Sequence, residues 1–225
     1  MNQPLEHSEH PRTPGRFESM AALAGPAAMW FSPGSDGRRE CNMSKMDELL
    51  KGLRRVVTAN DADGKSYVML DGGPAGAFRT GDLGSLQEIW HDDTRGPLDG
   101  AACEDKADAT PVLSPDRGKV KIRWFTTGPT PEGAPPETIA ELTRKAFVDV
   151  GAGEHQPDTS KHPAMHLTHT LDAIILVQGR VRLILDKEET VIGPGDVVIQ
   201  RATNHAWAVE GDEPALFVAV LVDRT

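Results

Sequence analysis

Two imidazoles and a carboxylate in the last third of the chain are of the types and spacing that could do chemistry. In HLTHTLDAIILVQG, His166 is followed by His169, Asp172 and, after a six-residue gap, Gly179. In GPGDVVIQRATNHAW, a Gly193-Pro194-Gly195-Asp196 turn precedes a short apolar run, then His205 and Trp207. Side chains alternate along a strand, so His166, Thr168, Thr170 and Asp172 share a face with Ile174 and Leu176, and His205 shares one with Trp207. The simplest picture puts His166, Asp172 and His205 in one pocket, with Thr168 and Trp207 nearby and Gln200 in reach of a ligand. Two imidazoles and one carboxylate form a facial ligand set with open positions, suited to iron, zinc, nickel or manganese. His169 has the opposite parity. It joins as a fourth ligand only if a bulge around 167–170 turns it inward.

These residues need a rigid frame. Residues 173–177, 181–185, 189–192, 197–200, 205–209 and 215–222 read as short strands divided by turns, the spacing of antiparallel sandwiches and jelly rolls. Upstream, KVKIRWFT (119–126) alternates Lys119, Lys121 and Arg123 with Val120, Ile122 and Trp124, as a half-buried strand does. LQEIWHD (86–92) reads as a further strand, and Asp63-Gly64 as a hairpin turn. These early strands are expected to extend the same barrel. Two helices interrupt the pattern. Residues 47–56 (DELLKGLRRV) place Leu49, Leu50, Leu53 and Val56 at helical spacing, with acid early and base late. Residues 136–150 begin at Pro135-Pro136, carry a stripe of Ile139, Leu142, Ala146 and Val150 with Phe147 beside it, and end before Gly151.

The two half-motifs, with an apolar hairpin between them, resemble the signature motifs of the cupin superfamily. His166 takes the first His position, and Asp172 to Gly179 keeps the six-residue gap. Thr168 stands where the family has its second His, and Asp172 where it has Glu. Gly195 and His205 fit the second motif, while Arg201, Thr203 and Val209 stand in place of its Pro, second Gly and Asn. The resemblance implies an all-β jelly-roll barrel with its site inside. It implies a small-molecule protein, either a divalent-metal-dependent enzyme of dioxygenase, decarboxylase or isomerase type, or a metal-free module that binds or senses a small ligand. In the enzyme reading His166, Asp172 and His205 hold the ion, with His169 completing the family's full set if it turns inward. A metal-free isomerase or cyclase, with His205 as base oriented by Asp172, is a third reading. Barrels of this kind often pair through a sheet edge, so a homodimer is expected.

Composition narrows the classes. The chain has 225 residues, 38% of them hydrophobic, with 17 Pro and 22 Gly, which suits one domain with substantial loops. Residues 1–45 are expected to be a poorly ordered extension, and 46–225 a single barrel domain with its core motifs in 163–222. The formal net charge of -10 argues against a nucleic-acid partner, which needs a clustered basic face. No apolar run approaches the ~20 residues of a membrane span, and the mixed charge before residues 21–31 does not suit a secretory signal. Cys41 and Cys103 imply no disulfide framework, so a cytoplasmic location is expected.

Overall fold

The computed structural model describes residues 43–225, so most of the expected extension and Cys41 lie outside the described residues. The first described element starts at Ser44, two residues before the expected domain start. Its hydroxyl accepts the Asp47 amide while the Asp47 carboxylate accepts the Ser44 amide, a capping box that starts helix α1 (Lys45–Lys51). The helix is shorter than expected because Gly52 caps it, and Val56 belongs to the following strand.

Eleven strands follow: β1 (Arg55–Asn60), β2 (Ser66–Gly72), β3 (Ala77–Thr80), β4 (Gly84–Asp93), β5 (Lys119–Thr127), β6 (Thr170–Gln178), β7 (Val181–Leu185), β8 (Glu189–Ile192), β9 (Val197–Arg201), β10 (His205–Val209) and β11 (Ala215–Asp223). A six-stranded sheet runs β3-β4-β5-β11-β6-β9 and a three-stranded sheet β10-β7-β8. Of the early strands, β3 to β5 extend the main sheet as expected. The β1-β2 hairpin instead forms a sheet of its own, turning at Gly64 with φ +73°. The fold is an all-β cupin-type jelly roll. Its two sheets share one core, in which Leu176, Phe217 and Leu221 of the larger sheet meet Val181, Leu183 and Trp207 of the smaller. Phe125 stacks on Phe217 with ring centroids 4.3 Å apart.

Tight turns set the register. Gly179, between β6 and β7, has φ +96°, and a Cβ there would lie 2.9 Å from the Ala215 side chain. The Gly193–Asp196 turn is closed by the Asp196 carboxylate, which accepts the Gly193 amide at 2.8 Å, and Gly195 donates to the Leu176 carbonyl at 2.8 Å.

Two elements differ from the sequence pattern in ways that matter for the site. The alternation of β5 is present, but its buried members include the charged ones: Lys121 and Arg123 are 6% and 1% exposed. Helix α2 (Pro136–Asp149) borders the cavity with most of its expected stripe, and Val150 just after it is buried there too. Ile139, Thr143, Ala146 and Phe147 face the interior space, while Leu142 is exposed.

Candidate functional site

Between the sheets and beneath α2 lies a cavity of about 550 Å³. Its wall includes His166, Thr168, Asp172, His205 and Trp207, so five of the expected site residues meet there. Gln200 does not line it. It pairs in register with Asp172 and is buried, its side-chain carbonyl accepting the Thr203 hydroxyl.

The two histidines are joined at the backbone. The amide of each donates to the carbonyl of the other at 2.9 Å, and their ring centroids lie 4.3 Å apart. Nδ1 of His166 lies 2.9 Å from the Ala164 carbonyl and Nδ1 of His205 lies 2.8 Å from the Thr203 carbonyl. A carbonyl only accepts, so each Nδ1 carries the proton and each Nε2 carries a lone pair. Burial pulls His166 down to about 3, aided by the neighbouring imidazole, and pulls His205 down to about 4. Both rings are therefore neutral at physiological pH. Phe147 of α2 packs against His166 at a centroid distance of 5.0 Å, and Trp207 sits edge-on to His205 at 5.5 Å.

Asp172 lines the same cavity. It lies on β6, between Gln200 of β9 and Leu221 of β11, and is 3% exposed. Thr168 donates to Thr170 or accepts from it at 2.7 Å, and Thr168 reaches Oδ2 of Asp172 at 3.5 Å. Oδ1 is buried with no hydrogen-bond partner among the described residues. Desolvation raises the carboxyl to about 6, against the opposing pull of the two threonine hydroxyls and Arg123.

Among the described residues no group of three His, Cys, Asp or Glu side chains converges closely enough to hold a metal ion. The imidazoles belong to the β10 side and the carboxylate to the β6 side, with threonine hydroxyls where a further imidazole would be needed. His169 supplies no fourth ligand. The alternation through 168–170 is unbroken by a bulge, so Thr168 and Thr170 are buried and His169 is exposed.

The sequence pattern did not single out a second polar cluster. Arg123 lines the cavity from β5, and its Nη2 donates to Oε1 of Glu88 on β4 at 2.7 Å and to the Val112 carbonyl at 2.6 Å. Oε2 of the fully buried Glu88 lies 2.9 Å from Nε2 of His91. Lys121 donates to the Val112 and Ser114 carbonyls at 2.8 and 3.1 Å, and burial lowers it to about 8. The available signal was three cations alternating in a β-prone run, but alternation does not say which face is inside.

Residues 148–221 match the family model of the cupin domain, spanning β6 to most of β11 and both half-motifs. The chain carries a cupin domain. Two relatives are similar to it over this part. The cupin-domain-containing oxidoreductase srdD of Neurospora crassa is 36% identical over 81 residues, covering 34% of this chain and 38% of that protein. The cupin-domain-containing oxidoreductase fogC of Aspergillus ruber is 35% identical over 81 residues, covering 34% and 36%. The matched part of the chain thus spans little more than a third of either relative. A solved RmlC-like cupin family protein with a double-stranded β-helix fold, from Methanocaldococcus jannaschii, superposes on 46% of this chain and 70% of its own, at 14% identity and a TM-score of 0.30. No described helix of the cupin chain is long and apolar enough to cross a membrane.

Proposed function

We propose that this cupin is an enzyme acting on a small molecule held in the cavity, with Asp172 as the group that moves a proton. One observation carries the reading: a buried carboxyl on the cavity wall, raised to about 6, with one oxygen unpartnered. A general base works best when its pKa is near the working pH and no other hydrogen bond competes for its lone pair. The roles of the third sequence-based reading are thereby exchanged. His205, at about 4, is too weak a base to drive the step, and Asp172 is the stronger one. The neutral imidazoles then accept a hydrogen bond from a substrate hydroxyl or enol through Nε2, orienting the reacting carbon towards Asp172.

The reaction class is proton abstraction next to a carbonyl, as in isomerases and cyclases. The test is solvent-deuterium incorporation into phenylpyruvate and into the neutral ketone phenylacetone, followed by proton NMR with chelator-treated protein. Faster exchange with the native chain than with Asp172→Asn is expected for at least one probe. Equal rates for both probes would remove the catalytic reading and leave a ligand-binding or sensor module.

A metal-dependent oxidoreductase is the second reading, supported by the two carbonyl-tethered imidazoles, since such tethers orient metal-ligating histidines. The residues present offer two convergent donors where iron, zinc, manganese or nickel sites take three or more protein ligands, so no step is derived through an ion. This reading predicts near one equivalent of metal in the native protein and none in His205→Ala. The expected homodimer is proposed to pair through the edge strand β9, whose Val197 and Ile199 are exposed, and light scattering reads it.

A further inference from the structure

Arg123 is the least satisfied charged group in the described chain. It is 1% exposed, and its hydrogen bonds to Glu88 and the Val112 carbonyl both leave from Nη2. Nε and Nη1 are buried without a partner, as is Oδ1 of Asp172 on the same cavity wall. A guanidinium stays charged even here, so its N–H groups without a partner carry a desolvation cost that a ligand oxygen would relieve. Glu88 and Asp172 offset the charges of Arg123 and Lys121, so a ligand is drawn by the unpartnered N–H groups of Arg123 and not by an excess of positive charge. The wall also carries Phe125, Phe147, Ile174 and Trp207 beside the hydroxyls of Ser85, Thr126 and Thr143 and the charged Lys161, Arg182 and Glu189, while the imidazoles contribute no charge.

We infer that the cavity takes a small organic acid, its carboxylate held by Arg123 and its apolar body by Phe125, Phe147 and Trp207. The inference rests on the reading of this cavity as the functional site and names the substrate class it would accept. Glu88 is a positioning residue. It holds Nη2 and so turns Nε and Nη1 away from the protein's own acceptors, while His91 holds the other carboxylate oxygen.

The test is isothermal titration of phenylacetate and hexanoate, each beside its primary amide, so that body and size stay fixed while the charge is removed. A hydrogen bond to a charged group should make each acid bind about tenfold tighter than its amide to the native chain. The comparison is Arg123→Gln combined with Glu88→Gln, which removes both charges and leaves no lone buried one. In that variant the acids should lose their advantage while amide binding is unchanged. If it does not fold, Arg123→Lys replaces it, and acid binding alone should weaken. Neither acid binding, acids and amides binding alike in the native chain, or an acid preference that survives in the variant would overturn the inference. Deuterium exchange is read separately. Acid preference without Asp172-dependent exchange defeats only the catalytic reading, and exchange without acid preference defeats only this one.

Discussion

His166 and His205 exchange two backbone hydrogen bonds of 2.9 Å, which fixes their rings at a centroid distance of 4.3 Å with Nδ1 of each turned to a carbonyl. The pair is built to stay neutral, and its cost is paid in acid. An unfolded histidine titrates near 6.5, whereas these fall to about 3 and about 4. Between roughly pH 4 and 6.5 the unfolded chain therefore binds more protons at both sites, and stability is lost as pH falls through that window. Asp172 acts with the opposite sign. Raised from 3.8 to about 6, it binds more protons when folded, so its contribution is lost as pH rises from about 4 to 6. Two imidazoles outweigh one carboxyl, so near pH 5 these groups together make stability rise with pH. Urea denaturation of the His166→Gln, His205→Gln double variant should show a shallower loss of stability on acidification than the native chain.

Asp172→Asn should remove the pH dependence of turnover near 6. With Asp172 as base, the native rate rises as pH passes upward through about 6 and then levels. A variant profile that keeps this rise would assign the base elsewhere.

Replacing one member of the Arg123–Glu88 pair should cost far more than replacing both. Arg123→Met leaves the 0% exposed Glu88 charge without its cation, and a loss of about 3–5 kcal/mol is expected. Adding Glu88→Gln should restore most of it. Chemical denaturation of the two single variants and the double variant gives the coupling directly.

Phe217→Ala should destabilise the chain by about 3–5 kcal/mol, because Phe217 is fully buried between Phe125 and Trp207 and nothing flexible can fill the space. Gly179→Ala should also destabilise, through strain at φ +96° and the Ala215 contact. Thermal melts rank the two against native protein.

The last six strands were legible because each is short, bounded by Gly, Pro or Asp, and follows one period. β7, β8 and β10 begin and end where the pattern placed them. Asp172 and Thr168 were legible for the same reason: parity along β6 fixed their side. Arg123 and Glu88 were not, because a buried cation is tolerated only where a distant strand supplies its anion, and that pairing is a property of the β4-β5 register. Helix α2 was placed within a residue of its ends, and Ile139, Ala146 and Phe147 line the cavity as the spacing predicts, whereas Leu142 is exposed and Thr143 takes a place on the inner side.

That helix also sets a clock. None of its side chains is fully buried, it opens at Pro136 with no side-chain cap, and Gly151 follows it with φ +68°. Elements with so few buried contacts detach at a small fraction of the global unfolding free energy. A bound molecule would therefore leave by α2 lifting from the cavity, not by the sheets parting, and its residence time would be decided by Ile139 and Phe147, residues that take no part in the chemistry proposed for the interior.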